Sequence, residues 1–171
     1  MDSFSSLIND IGRLLDVYWK TYLSGMGNTL VLAIVATLIG CVIGLVCGIL
    51  NTIPYTKSDS PVKRFFLKLI RAIIRIYVEV FRGTPMVLQA VFIYYGVPYV
   101  TNNAMRFDSV WVAAILIVSI NTGAYMAESV RGGIISIDPG QTEGAKAIGM
   151  NHFQTMTSVI LPQAIRNIMP Q

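Results

Sequence analysis

Three polar side chains lie at helical spacing within one of the most apolar stretches of this sequence. Asn121, Tyr125 and Glu128 are four and three residues apart, so a helix would place all three on one face. Such a face points into a bundle or an aqueous cavity, where its groups can replace the hydration of a polar solute. For Asn121, hydrogen bonding between helices is an equally good interpretation, and Glu128 can pair with Arg131.

A second polar set precedes this one. Gln89 lies in an uncharged stretch and can offer its amide to a zwitterionic solute, whereas Arg82 and Glu79 are charge partners either of that solute or of each other. We therefore predict a solute pathway lined by Arg82, Gln89, Asn121, Tyr125 and Glu128.

Residue types for covalent or metal chemistry are not grouped in the sequence. The single histidine, His152, has no neighbouring metal ligand, and no Ser–His pair can be placed together. On a helix the Cα atoms of Cys41 and Cys47 would be about 9 Å apart, too far for a disulfide. No Gly-x-x-x-x-Gly-Lys-Ser/Thr phosphate loop is present. We therefore expect no catalytic residue, metal or cofactor. The same observations disfavour the hypothesis that the protein is a membrane-bound enzyme.

The composition is that of a membrane protein. Hydrophobic residues make up 54% of the 171 residues and charged residues 13%, and the mean hydropathy is +0.61. The net charge of +4 does not indicate nucleic-acid binding, because the basic residues lie beside hydrophobic runs. The long uncharged stretches are 26–51, 83–105 and 109–127, and the first can cross about 30 Å of hydrocarbon.

The amino-terminal part combines two patterns. An apolar stripe with charged neighbours predicts an interfacial amphipathic helix over residues 1–24. We expect this helix to lie outside the cell. The pattern of a cleavable signal peptide is not visible in these residues. Asn28 or Thr29 can then cap the first spanning helix. In that helix, small residues recur every fourth position and form a packing surface for another helix: Ala36, Gly40, Gly44 and Gly48.

The distribution of basic residues predicts the orientation. Ten Lys and Arg residues fall in 51–82 and after Ala127, against three on the other side, which places the amino terminus outside and both basic segments inside. Residues 61–82 carry one charged stripe, from Arg64 to Arg82. This stripe indicates either an interfacial helix or, as we favour, a long helix that bends at Gly83-Thr84-Pro85 and ends near Gly96.

Residues 136–162 have the composition of a water-exposed segment, although they follow a hydrophobic run. Asp138-Pro139 is a helix entry, Gly149 supplies a left-handed stop, Asn151 can cap a second short helix, and Pro162 closes or kinks it. We expect two short helices that form a compact knob on the inner side of the membrane.

This segment resembles the coupling loop of permease subunits of ATP-binding-cassette (ABC) importers, Glu-Ala-Ala-x3-Gly-x9-Ile-x-Leu-Pro. Gly144 replaces the first Ala and Val159 the Ile, and the other positions match. Residues 81–85 (Phe-Arg-Gly-Thr-Pro) and 124–133 (Ala-Tyr-x-Ala-Glu-x-x-Arg-Gly-Gly) are similar to signatures of polar amino-acid permeases in that family. The coupling residues so implied are Glu143, Gly144, Ala145, Gly149, Leu161 and Pro162.

The resemblance implies an all-α membrane fold, the helical bundle of a type I (MetI-like) ABC-importer permease. Residues 25–171 would hold about three transmembrane helices and the coupling helices. Two further helices are expected after the loop, so we interpret the chain as a partial permease domain.

The implied function is inward transport of a polar L-amino acid. Implied partners are a separate ABC ATPase on residues 138–162, an extracytoplasmic solute-binding protein, an identical or different second permease subunit and the lipid bilayer of a bacterial cytoplasmic membrane. A secondary transporter or channel subunit is the alternative function, which would not need the knob.

Overall fold

The computed structural model describes residues 2–54 and 60–168; residues 55–59, which belong to the basic segment 51–82, and residues 169–171 lie outside the described residues. The described residues contain helices and no strand. In chain order the helices are α1 (Asp2–Thr52), α2 (Pro61–Gly83), α3 (Met86–Val91), α4 (Val97–Val100), α5 (Val110–Ile135), α6 (Pro139–Ala147), α7 (His152–Thr155) and α8 (Leu161–Ile168). Single π-helical turns, Phe92–Gly96 and Met156–Ile160, join α3 to α4 and α7 to α8.

The chain divides into two compact units, the first ending at Val35 and the second beginning at Ala36. The first unit belongs to helix α1, and its large apolar side chains, such as Leu7 and Ile11, are exposed. The expected cap at Asn28 or Thr29 is wrong, because α1 runs through both positions without a break. The Thr29 hydroxyl instead donates to the carbonyl of Gly25 at 2.9 Å, four residues back. That residues 1–24 lie on the membrane surface stays a prediction.

In the second unit, the small residues of α1 lie directly against α5. Ala36 is fully buried. A Cβ atom added to Gly40 would be 2.7 Å from the Cβ of Thr122, and one added to Gly48 would be 2.5 Å from Cγ1 of Val130. No side chain fits at those distances. Glycine at these positions therefore permits the close approach of the two helices.

Helix α2 packs on α5 and then breaks sharply. Ile74 is buried, and the Tyr77 hydroxyl donates to the carbonyl of Ile120 at 2.6 Å. The predicted bend at Gly83-Thr84-Pro85 is confirmed: α2 ends at Gly83 and the α3–α4 segment leaves it at an angle of 111°. The segment ends at Val100 rather than near Gly96, because the π-helical turn continues directly into α4. Among the described residues, α1 and α5 are long and apolar enough to cross a membrane, and the bent pair is a third candidate.

The knob begins as its sequence predicts. Asp138 caps α6 by accepting from the backbone N–H of Gly140 at 2.6 Å, and Pro139 takes the first helical position. Gly149 has φ +82°, and the N–H of Met150 donates to the carbonyl of Ala145 at 3.0 Å, which closes the helix end. The Asn151 cap of α7 is also confirmed: Oδ1 of Asn151 accepts from the backbone N–H of Gln154, and Oε1 of Gln154 accepts from the backbone N–H of Asn151, both at 2.9 Å.

The expectation that the second knob helix is short and closes at Pro162 is wrong, whereas the alternative, that Pro162 kinks it, stays a prediction. Helical structure continues from His152 through Pro162 to Ile168. A proline in a regular helix clashes with the carbonyl four residues before it. Here the π-helical turn Met156–Ile160 comes immediately before, and the N–H of Leu161 bonds the carbonyl of Met156, five residues back. The wider turn lets the helix proceed past the proline.

Candidate functional site

A charged cleft lies between α2, α5 and α6. Its volume is about 960 Å³, and α2 and α5 contribute to its walls together with residues 51 and 52 at the end of α1 and 137–146 of the knob. The cleft is lined by five basic and three acidic side chains: Arg71, Arg75, Arg82, Arg131, Lys146, Glu79, Glu128 and Glu143. Charged side chains in membrane proteins usually face water-filled cavities or one another, so the lining suits water or a polar solute.

Arg82, a predicted pathway residue that lines this cleft, contacts a second predicted pathway residue, Tyr125. The guanidinium carbon of Arg82 lies 5.5 Å from the centre of the Tyr125 ring, a cation–π distance. Half of the Tyr125 side chain is exposed. Within the described residues Arg82 and Glu79 form no ion pair with each other, so that proposed pairing is not observed. The guanidinium of Arg82 is positioned by an aromatic face and keeps its hydrogen-bond donors available.

The predicted pairing of Glu128 with Arg131 is confirmed. Nε and one terminal nitrogen of Arg131 donate to the two carboxylate oxygens of Glu128, at 2.9 and 2.5 Å. About a third of each side chain is exposed, so the pair contributes only about 0.2–1 kcal/mol to stability. Its larger effect is on the cleft, because Glu128 neutralises Arg131. The four remaining basic residues outnumber Glu79 and Glu143, so the cleft keeps a net positive charge.

Gln89 and Asn121 lie away from the cleft and contact each other. Nδ2 of Asn121 donates to Oε1 of Gln89 at 3.0 Å and also lies 3.3 Å from the carbonyl oxygen of Phe81. Nε2 of Gln89 donates to that same carbonyl at 2.9 Å and to the carbonyl and hydroxyl of Thr84 at 2.9 and 2.8 Å. Gln89 is only 7% exposed. In this conformation both amides bind protein groups, as the helix-packing interpretation of Asn121 predicts.

The helix break explains why amides are needed there. In an unbroken helix the carbonyl of Phe81 would accept from the backbone nitrogen of residue 85, but Pro85 has no N–H. An unsatisfied carbonyl within a membrane costs several kcal/mol, on the order of 2–7. Gln89 and Asn121 supply the missing donors. We call this set of hydrogen bonds the break clamp; it ties the end of α2 to α3 and α5.

The residues of the coupling-loop pattern differ in their surroundings and exposure. Glu143 lines the charged cleft, together with Lys146 of the same helix. Ala145 is buried, Leu161 is half-buried and Pro162 is exposed. An added Cβ at Gly144 would meet no atom within 4 Å, so glycine there is not required by packing.

The sequence analysis missed two residues at the tip of the knob. Ile148 and Phe153 flank the turn at Gly149 and are 79% and 75% exposed. The available signal was two large apolar side chains around the Gly149 turn, Ile148 at the end of α6 and Phe153 in the first turn of α7, where polar residues are usual. Exposed apolar groups around one turn are typical of a protein contact.

No metal centre accompanies these features in the part of the chain that the structure describes. No group of three His, Cys, Asp or Glu side chains there can hold an ion, and Cys41 and Cys47 are free thiols. The described residues of the cleft offer charged side chains and hydrogen-bonding groups.

The fold and the cleft together define an all-helical membrane protein with a charged recess beside a broken helix. The family model described as "binding-protein-dependent transport system inner membrane component" matches residues 60–171. The chain belongs to that family, and its predicted kinship with ABC-importer permeases is confirmed.

Three curated relatives illustrate the kinship. The chain is 36% identical over 142 residues to the putative glutamine transport system permease protein GlnP of Rickettsia prowazekii (strain Madrid E), covering 83% of this chain and 58% of that one. It is 36% identical over 148 residues to the arginine transport system permease protein ArtQ of Bacillus subtilis (strain 168), covering 86% and 61%. It is 34% identical over 148 residues to the glutamine transport system permease protein GlnP of Escherichia coli (strain K12), again covering 86% and 61%. The chain thus spans about three fifths of the length of these relatives.

Solved structures show the same fold. The crystal structure of an amino acid ABC transporter with histidines superposes with a TM-score of 0.71 at 35% identity, covering 91% of this chain and 65% of that chain. An inward-facing structure of the MetNI methionine ABC transporter gives a TM-score of 0.67 at 21% identity, covering 90% and 67%. The predicted fold class, the helical bundle of an ABC-importer permease, is confirmed.

Proposed function

We propose that this chain belongs to the permease subunit of an ATP-driven ABC importer that moves a polar L-amino acid into the cell. The observation that carries the proposal is the shared cleft: Arg82 and Glu128 of the helical bundle and Glu143 of the knob line one recess. A transport subunit needs such a connection, because movement at an ATPase contact must alter the solute pathway. The names of the relatives, glutamine and arginine permeases, support the substrate class.

The two faces of α2 support a membrane-crossing helix rather than a surface helix. Large exposed apolar side chains recur on one side from Val62 to Val80, a length of about 27 Å, close to the thickness of the hydrocarbon core. The cationic stripe occupies an arc of only about 60°, and its upper part faces the cleft. An interfacial helix would instead expose a broad charged face to water.

The solute would contact side chains that line the cleft, Arg82 and Glu128, and the neighbouring Tyr125. Arg82 can bind a carboxylate, the Tyr125 hydroxyl can donate or accept a hydrogen bond, and Glu128 can bind an ammonium group when it exchanges partners with Arg131. Gln89 and Asn121 would contribute only in a state in which the break clamp has opened. These five residues remain our candidates for the pathway.

The knob is the proposed docking site for a separate ABC ATPase. Ile148 and Phe153 form its exposed apolar tip, and Gly149 supplies the turn that presents them. Short capped helices with an apolar tip suit recognition in a groove of the partner. Closure of the ATPases would tilt the knob as a rigid body and shift the cleft wall that carries Glu143. The chemistry of ATP would remain with the partner.

The proposed assembly is that of a binding-protein-dependent importer in a bacterial cytoplasmic membrane, with the amino terminus outside. A solute-binding protein would deliver the amino acid on the outer side, and a second permease subunit, identical or different, would complete the pathway. The single basic residue near the outer turn, Arg106, against the many on the inner segments supports this orientation.

The proposed function can be tested by measuring solute uptake in a strain that lacks the gene and in the same strain complemented with it. Labelled amino acids should enter the complemented strain and not the deletion strain, while sugars, oligopeptides and metal ions enter both equally. The complemented strain should lose uptake when Arg82 is changed to Gln. Loss of sugar or peptide uptake in the deletion strain, with amino-acid uptake intact, would contradict the substrate class.

A further inference from the structure

Helix α2 carries basic residues that the cleft does not use. Arg71, Arg75 and Arg82 line the cleft, but Arg64 and Lys68, which continue the same stripe towards the start of the helix, do not. Among the described residues, no side-chain hydrogen bond or ion pair engages Arg64 or Lys68. Residues 61–78 contain no acidic residue that could neutralise them within the helix. Two cations one helical turn apart are therefore left for another partner.

An exposed apolar face adjoins this pair of cations. Val62, Phe65, Phe66 and Leu69 are between 44% and 63% exposed. At 100° per residue they occupy one arc of about 100°, and Phe65 lies only about 60° around the helix from Lys68. A ligand on this surface therefore meets positive charge at one edge and an apolar surface beside it.

We propose that this surface, defined by Arg64, Lys68, Phe65 and Leu69, binds an anionic phospholipid. The phosphate of the headgroup lies between the two cations, which reach the interface from a helix whose apolar side faces the acyl chains. Charge complementarity selects this occupant. A zwitterionic lipid would bring its own cation towards Arg64 and Lys68, and a soluble anion would leave the apolar face uncovered. The site is separate from the cleft and does not depend on which solute is transported.

Native mass spectrometry of the purified protein tests the assignment, with dioleoylphosphatidylglycerol and dioleoylphosphatidylcholine as alternative probes. Each basic residue near an anionic surface strengthens binding about fivefold. The double variant Arg64→Gln/Lys68→Gln should therefore bind phosphatidylglycerol about 25-fold more weakly, with phosphatidylcholine binding unchanged. The variant Arg64→Lys/Lys68→Arg, which keeps both charges, should retain the preference for phosphatidylglycerol.

The matched control is Arg75→Gln/Lys146→Gln, which removes the same charge from the wall of the cleft. It should bind both lipids as the unmodified protein does. Unchanged phosphatidylglycerol binding by the α2 variant, an equal loss in the control, or full competition by inorganic phosphate would each overturn the assignment.

Discussion

The side-chain amide of Asn121 donates a hydrogen bond of 3.0 Å to the side-chain carbonyl of Gln89, across 32 residues of sequence. This contact joins α5 to α3 at the point where the chain turns by 111°. Both amides also bond the carbonyl of Phe81, which Pro85 leaves without its helical partner. The two side chains therefore connect the end of α2 to α3 and α5, next to Arg82, which lines the cleft.

Removal of the break clamp should destabilise the protein. Gln89→Leu keeps the volume but leaves the carbonyl of Phe81 and the amide of Asn121 poorly satisfied, so we expect a loss of about 1–3 kcal/mol in the free energy of unfolding. Chemical denaturation in detergent measures it. The control is Gln141→Leu, which removes an exposed 3.2 Å hydrogen bond to Gln163 and should have almost no effect. Equal stability of the two variants would show that the clamp does not hold the bend.

The glycines of α1 allow a direct comparison within one helix. Gly44→Ala would place a Cβ against the side chain of Met126, whereas the Cβ of Gly27→Ala meets no atom within 4 Å. Overpacking costs about 1–3 kcal/mol, while alanine in an open helical position gains up to about 1 kcal/mol over glycine. We expect Gly44→Ala to lower the unfolding temperature of the purified protein and Gly27→Ala to leave it equal or higher. The opposite order would contradict the close packing of α1 on α5.

Gly149 should matter to ATPase docking because of its backbone conformation. At φ +82°, valine is strained, asparagine is tolerated and glycine is preferred, so binding of the ATPase should weaken in the order Gly, Asn, Val. Co-purification of the complete permease with its ATPase measures the effect. Gly25→Val is the control, since an added Cβ there contacts nothing and the position lies inside α1, outside the knob. Normal co-purification of Gly149→Val would remove the knob from the docking site.

The proposed orientation can be read from cysteine accessibility in intact cells. In a background without Cys41 and Cys47, a cysteine at Met105 should react with a membrane-impermeant thiol reagent, and one at Gln141 should not. Both native side chains are exposed in the structure, so burial does not explain a difference. Labelling at Gln141 from outside would reverse the topology and place the knob on the wrong side for an ATPase.

Local sequence was enough for the features that depend on neighbouring residues. The Asp138 and Asn151 caps, the left-handed turn at Gly149, the break at residues 83–85 and the Glu128–Arg131 pair all join residues within a few positions of each other. These features depend on backbone donors, glycine, proline and neighbouring charges, so they can be predicted from the order of the residues alone. The long uncharged stretches likewise indicated membrane-spanning segments, and the all-helical fold class followed from the resemblance to ABC-importer permeases.

The tertiary structure alone decided which distant groups meet. Gln89 and Asn121 looked like solute-binding groups because an isolated helix shows only a polar face; the 111° turn brings them together at the carbonyl that Pro85 leaves unpaired. The same holds for Glu143, which the sequence assigned to the knob and which the packing places in the cleft with Arg82. A helical pattern defines which face of a helix is polar, but the angle between helices, set by close packing, defines what that face contacts.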